Sequence, residues 1–285
     1  MTFAKLATDF SYWQKQSARH PLFPDLTWNI PEQKSGRVTI IGGNSQNFST
    51  VIRTAEYLGT AFPLSSVHTI LPDVIRPKLP PLSNFKFTPS TDSGSFARSG
   101  ALRAYFDVAD ANLIIGDLSK NSATAIAITD LLSHETPNNS SSPTPSTPFK
   151  PTVLTRDTVD LIANDGPIWL IRPAIFIVAS MLQLQKLFRA VYYPRMILLS
   201  QPLLPVIETL HKFTLTYPTT LLTFHQDHII VAHQGNITTT PITDTEYSPI
   251  SLWSGQLASK VLGFNLYNPG QPLAATTAAI LYQLS

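Results

Sequence analysis

Apolar residues recur at Phe3, Leu6, Phe10 and Trp13, a spacing that predicts an amphipathic helix over Thr2–Ser17 with Thr2 as its cap. The proline-punctuated stretch HPLFPDLTWNIPEQKSG follows. The continuous apolar run Arg37–Ile41 then predicts a buried strand that ends in Gly42-Gly43-Asn44. A helix is expected over Ser49–Leu58, stopped by Gly59. A short strand at Val67–Leu71 precedes a proline-rich passage that runs to about Ser93. Asn112–Ile115 predicts a second buried strand, closed by Gly116, and Ala123–Leu132 a helix. Beyond the low-complexity segment Thr136–Lys150 the alternation resumes: strand Thr152–Thr155, helix Asp157–Ala163, strand Ile168–Ile171, helix Ala174–Phe188. Ala190–Gln201 is an apolar run that reads equally as strand or buried helix. Leu203–Phe213 predicts a helix, and Leu221–Phe224, His228–Ala232 and Asn236–Thr240 are strand-like runs at hairpin spacing. Two helices close the chain, Ser254–Leu262 with Gly263 as its stop and Pro272–Leu284 opened by proline.

Strands alternating with helices predict an α/β domain with a mostly parallel central sheet covered on both faces, an antiparallel edge hairpin and an N-terminal helical extension. The extension is expected over residues 1–35 and the main domain over 36–285, with 136–150 as a loop insertion inside it. In such folds ligands bind beyond the carboxyl ends of the strands. The loops that matter are therefore Gly42–Asn47, Gly116–Asn121, Thr155–Asp157, Arg172–Ile175 and Leu252–Gln256.

Composition narrows the function classes. Of the 285 residues 43% are apolar, enough for a sizeable core, and only 13% are charged. Twenty basic against eighteen acidic side chains give a net charge of +2, too little to hold a phosphate backbone, so nucleic acid is not expected as a partner. There is no cysteine, which removes disulfides, thiolate metal sites and thiol nucleophiles. Asp9 interrupts any leader-like apolar core, and Arg172 and Pro173 interrupt the longest apolar stretch. Neither secretion nor membrane insertion is expected, and a cytoplasmic location is.

Gly42-Gly43-Asn44 reads either as a turn needing positive φ or as backbone approaching a ligand. No Walker loop and no G-x-G-x-x-G fingerprint is present. Asp157 suits a helix cap, Ser254 a cap or an anion ligand, and Lys120 and Arg172 stand where strands are expected to end. His225, His228 and His233 are better read as a solvated hairpin than as a metal site, because residues 225 and 228 point to opposite faces of a strand. Asp107 and Asp110 precede a strand and so belong to the far end of the sheet.

GRVTIIGGNSQ, DANLIIGDLSKN, KPTVLTRDTVDLI, IWLIRPAIF, LLTFHQDHIIVAHQGNI and WSGQLASKVLGFN stand in the order of motifs of the NAD(P)H-hydrate dehydratase family, which the chain resembles over about residues 36–285. The resemblance implies a three-layer ribokinase-like fold and ADP- or ATP-dependent repair of hydrated nicotinamide cofactors, with Mg. In that chemistry the hydrate hydroxyl is phosphorylated and phosphate is then lost. It places substrate near Gly42, Gly43, Asn44, Gly116, Asp157 and Arg172, and nucleotide near Ser254, Gly255 and Thr223. It also places Gln256 where the family has its aspartate base. The family's glycine-rich loop falls on Gly116-Asp117-Leu118-Ser119-Lys120, its DAD motif on Thr155-Arg156-Asp157, its HPGE motif on Arg172-Pro173-Ala174-Ile175, and its lysine-glycine pair on Thr223-Phe224. An amide has no useful basicity near neutral pH, so no catalytic residue of the family is intact. Two functions stand open: a divergent hydrate dehydratase or other small-molecule kinase, and an inactive pseudoenzyme with a nucleotide-binding or scaffold role. The expected partners are a nucleotide and a nicotinamide ligand, with a homo-oligomer left open.

Overall fold

The computed structural model describes residues 10–28, 35–81, 84–133 and 150–283. In chain order the elements are β1 (Trp13–Lys15), α1 (Pro24–Trp28), β2 (Arg37–Gly42), α2 (Ser49–Ala61), β3 (Ser66–Pro72), β4 (Phe85–Thr88), α3 (Gly100–Val108), β5 (Ala111–Gly116), α4 (Ser122–Ser133), β6 (Thr152–Thr155), α5 (Asp157–Ile162), α6 (Gly166–Trp169), β7 (Ile175–Val178), α7 (Met181–Ala190), α8 (Leu203–Thr216), β8 (Thr220–His225), β9 (His228–His233), β10 (Asn236–Pro241), α9 (Gln256–Tyr267) and α10 (Pro272–Leu281). The strands form one ten-stranded sheet in the order β1-β10-β9-β8-β7-β6-β5-β2-β3-β4. All neighbours are parallel except β8–β9 and β9–β10.

Central strands buried on both faces are apolar almost throughout, as β2, β5 and β7 are. Alternate side chains feed two cores. Ile40, Leu113, Val153 and Phe176 pack against α2, α9 and α10; Ile41, Ile114, Leu154 and Ile177 pack against α4, α5, α7 and α8. This is the expected three-layer arrangement. Of the loop insertion expected at residues 136–150, residues 136–149 lie outside the described residues.

Several elements depart from expectation. Within the span predicted as an N-terminal helix, Trp13–Lys15 is a strand: it extends the sheet beyond β10, with Trp13 opposite Ile237. The antiparallel hairpin is therefore covered on its outer side. Ile168–Ile171 is not a strand. Trp169 and Leu170 are buried while Ile168 and Ile171 are exposed, a pattern that suits the turn of α6, and the indole Nε1 of Trp169 donates to the Ile162 carbonyl at 3.1 Å. The strand is β7, beyond Pro173, and the helix predicted from Ala174 starts only at Met181, where Ser180 and Gln183 make a capping box. Residues 190–201 form neither strand nor helix beyond the end of α7. β4 and α3 lie in and after the passage that prolines had marked as irregular; Ser99 caps α3 by accepting from Leu102 N at 3.2 Å. Finally α9 runs on through Gly263 to Tyr267. A Cβ at that position would stand 2.2 Å from the ring of Phe62, so the glycine serves close packing against α2 rather than termination.

Of the three histidines only His228, beside the exposed Asp227, is partly solvated; the other two are buried. His225 is buried with Nε2 2.8 Å from the Gln201 carbonyl oxygen, and His233 is buried with Nδ1 2.9 Å from Thr220 Oγ1. Burial holds His233 below the usual histidine range. The sign follows: folding keeps His233 neutral, so its contribution is complete above about pH 6.5 and declines as pH falls toward its depressed folded value. Melting temperatures should drop between about pH 7.5 and pH 5, and a His233→Gln variant should lose less over the same interval. Parallel curves for the two proteins would refute this assignment.

Candidate functional site

Chain order reverses direction in the sheet between β2 and β5. From β2 the chain steps outward to β3 and β4, then returns to the other side of β2 and proceeds through β5, β6 and β7. A reversal of this kind opens a crevice at the carboxyl ends of the two strands, where ligands of doubly wound folds bind. Gly42-Gly43-Asn44 and Gly116-Asp117 form its walls. Gly43 and Gly116 adopt φ of 94° and 95°. Gly43 N donates to the Gly116 carbonyl at 2.9 Å.

The crevice is knitted together by the chain's own polar groups. Asn44 Nδ2 donates to the Asp117 carbonyl at 2.6 Å, while its Oδ1 accepts from the backbone of Gln46 and Asn47. Asn47 Nδ2 donates to Asp117 Oδ1 at 2.9 Å. A loop beyond β4 closes over the top, with Ser45 N on the Gly94 carbonyl at 2.8 Å, Ser119 Oγ on the Ser93 carbonyl at 3.0 Å and Asn121 Nδ2 on Ser93 Oγ at 2.7 Å.

Asp157 opens α5, but its carboxylate does not cap that helix. The capping position is Arg156, whose side chain makes no cap bond. Instead Oδ1 of Asp157 accepts from Asp117 N at 2.8 Å and Oδ2 from Leu118 N at 3.2 Å. Two successive backbone N–H groups beside a glycine are the kind of concavity that holds an anion; here an internal carboxylate fills it. Burial raises the Asp157 carboxyl above its ordinary range, opposed by these donors and by Arg156.

Arg156 has φ 57°, uncommon outside glycine, and Gln183 Nε2 donates to its carbonyl. Its Nη2 meets Asp117 Oδ1 at 2.6 Å, with side chains only 9% and 3% exposed. The guanidinium carbon lies 5.5 Å from the centre of the Trp253 ring. Arg156 Nε and Nη1 and Asp117 Oδ2 are buried without a hydrogen-bond partner.

The opening of α9 meets this cluster. Gly255 is left-handed at φ 80°, and a Cβ there would stand 2.3 Å from Thr54 Oγ1 and 2.5 Å from Ile115 Cδ1. Thr54 Oγ1 is another buried atom without a partner. Ser254 Oγ donates to the Ser251 carbonyl at 2.7 Å and accepts from Gln256 N at 3.3 Å. Gln256 itself is exposed. The first N–H groups of α9 point along the helix axis out of its opening, and the helix dipole adds to them.

The structure thus brings together Gly42, Gly43, Asn44, Gly116, Asp157, Ser254 and Gly255. It does not bring in Arg172 or Thr223. Arg172 precedes β7 and so stands at the amino edge, where Nη1 donates to the Leu132 carbonyl near the end of α4. The displaced strand moved it: the loop at the carboxyl end of β7 is Ala179-Ser180. Thr223 is fully buried in β8 and lies opposite Ile230, which belongs to the core on the face away from α9. Lys120 is exposed in the loop after β5. Asn47, Asp117 and Arg156 lie in the loops expected to matter without being expected as site residues, and Thr54 lies outside them; the one sequence signal was a charged residue directly after each of two buried strands.

No family model and no curated protein matches the chain. Solved structures do. A ribokinase-like superfamily protein from Enterococcus faecalis superposes with a TM-score of 0.62 over 96% of this chain and 87% of that one, at 15% identity. A hypothetical protein from Streptococcus mutans gives 0.62 over 90% and 86%, at 16% identity. The ADP/ATP-dependent NAD(P)H-hydrate dehydratase of Bacillus subtilis, co-crystallised with ATP and Mg2+ and soaked with CoA, gives 0.55 over 93% and 85%, at 14% identity. The fold is therefore the ribokinase-like α/β fold.

Proposed function

We propose that this chain is a nucleotide-binding protein of the ribokinase-like fold that does not transfer phosphate. One observation carries the reading: the opening of α9 offers hydrogen-bond donors but no carboxylate of its own. Gln256 stands at its first position. Of the nearby carboxylates, Asp157 is taken at both oxygens by backbone N–H groups, and Asp117 is held through Oδ1 by Arg156 and Asn47, with only Oδ2 unbonded and buried. General-base catalysis of phosphoryl transfer needs a carboxylate within reach of the attacking hydroxyl.

The similarity to a dehydratase crystallised with ATP and Mg2+ supports a nucleotide as the ligand. The left-handed Gly255 and the N–H groups that follow fit its phosphates. Among the described residues no group of three or more His, Asp or Glu could hold a metal ion, so any Mg2+ would arrive on the phosphates themselves. The hydrogen bonds across the β2–β5 crevice leave Asn44 and Asp157 committed to the chain rather than to a nicotinamide. Among the described residues no helix is long and apolar enough to cross a membrane.

The alternative, an active ADP- or ATP-dependent hydrate dehydratase, predicts recovery of reduced-nicotinamide absorbance when hydrated NADPH is supplied with either nucleotide. We expect none above the protein-free rate, and none in Gln256→Asp, because Ile175 and Thr223 still stand where the motif resemblance puts a glutamate and a lysine. ATP at a hundredfold excess over its dissociation constant should stabilise the fold by about 2.7 kcal/mol. Turnover by the natural chain would overturn the inactive reading; failure of both ADP and ATP to raise the melting temperature would overturn nucleotide binding.

A further inference from the structure

Four buried polar atoms around the opening of α9 have no partner: Nε and Nη1 of Arg156, Oδ2 of Asp117 and Oγ1 of Thr54. Leaving such atoms unsatisfied is costly, and native structures rarely do so without a water, ion or ligand. Their chemistry is mixed. Arg156 supplies donors only, ionised Asp117 is an acceptor only, and Thr54 is either. A fully deprotonated anion would satisfy Arg156 and the helix N–H groups but would meet Asp117 acceptor to acceptor. A neutral apolar group would satisfy none of them.

We propose that Arg156, Asp117 and Thr54 form a site for a phosphate group that carries a proton, with Trp253 as its cover. The phosphate oxygens would accept from Arg156, from Thr54 and from the N–H groups at the start of α9, while the P–O–H would donate to Asp117 Oδ2. The ion pair at Nη2 fixes the guanidinium plane and leaves its other donors for the ligand. Trp253 lies over the guanidinium and is 44% exposed, so a ligand reaching Arg156 displaces its ring. This deepens the reading above, and it rests on that reading only in placing a phosphate at the opening of α9. None of the three positions follows from the motif resemblance: Arg156 stands where the DAD motif has alanine, and Asp117 and Thr54 were not among the expected site residues.

Phosphate against sulfate is the decisive pair. Both are tetrahedral anions, yet at neutral pH inorganic phosphate carries a proton and sulfate none. A buried acceptor left facing an acceptor discriminates strongly, so we expect phosphate to bind on the order of a hundredfold more tightly than sulfate at matched ionic strength. Binding is followed by calorimetry and by tryptophan fluorescence, with Trp253→Phe to separate Trp253 from the other three tryptophans. Asp117→Asn should collapse the ratio to within about threefold, because an amide can donate to sulfate. Arg156→Gln should weaken both anions. AMP and ATP, compared with phosphate at about pH 5.5 where a terminal phosphate ester also keeps a proton, distinguish the source of the phosphate: AMP binding as tightly as phosphate assigns a nucleotide ester, and phosphate binding alone assigns the free ion.

Equal affinity for the two anions in the natural chain overturns the proposal, as does absence of phosphate binding, which would leave only water at these atoms. Neither outcome depends on the folding of a variant. ATP binding that is untouched by Arg156→Gln overturns the proposal and leaves the nucleotide reading standing. Selective phosphate binding without nucleotide binding does the reverse.

Discussion

A Gly116→Ala variant should unfold well below the natural protein, by about 10 °C in melting temperature. Two costs coincide. The residue has φ 95°, which a side chain makes unfavourable by about 1–2 kcal/mol. The new Cβ would also lie 2.0 Å from Asp157 Oδ1, so the carboxylate must leave the N–H groups of Asp117 and Leu118. Hydrogen bonds to a charged group contribute about 1.5–3 kcal/mol each, and partial retention brings the expected total to about 4 kcal/mol. Gly59→Ala is the matched control. It lies inside α2 with nothing within 4 Å of the added atom, and should gain about 0.5–1 kcal/mol. Urea titrations of both variants decide the matter. If Gly116→Ala melts with the natural chain, Asp157 does not fill that turn.

The second large effect is expected at Arg156. Arg156→Met keeps most of the side-chain volume but leaves Asp117 buried without its cation, a change that costs about 3–5 kcal/mol. The loss should shrink when Asp117→Asn is added, because the uncompensated charge is then gone. A double-mutant cycle on these two positions should return a coupling of about 1–3 kcal/mol. A coupling near zero would mean that the two side chains do not meet in solution, and the cluster at the α9 opening would lose its centre.

How much of this was readable in the chain depends on which physical signal each part leaves. β2, β5 and β6 and the helices that follow them were legible because continuous apolar runs of strand length are bounded by glycine or by a polar turn. The region around Ile168–Val178 was not. It is apolar on both sides of Arg172-Pro173, so periodicity cannot say which half is the strand; three-dimensional burial chose the second. That single displacement carried Arg172 from the expected ligand edge to the opposite one. Trp13–Lys15 was misread for a related reason: at three residues the strand is too short to show a period, and its partner is more than two hundred residues away. In the candidate site, glycines announce themselves, since Gly43, Gly116 and Gly255 sit where the backbone turns to positive φ. The pairing of Arg156 with Asp117 leaves no such mark. It depends on two loops meeting across β5 and β6, which one chain read alone does not show.

The pairing of β1 with β10 also has a consequence in time. Trp13 Nε1 donates to Thr239 Oγ1 at 3.0 Å across a separation of 226 residues. At a synthesis rate of roughly 5–20 residues per second, that partner follows some 10–45 s later. During that interval the aromatic segment Phe10-Ser11-Tyr12-Trp13 has no sheet edge to join, while the parallel strands from β2 to β7 can already pair. The first of the described strands is therefore among the last to be seated. Ribosome-bound intermediates stalled before residue 236 should expose it to proteases and to holdase chaperones.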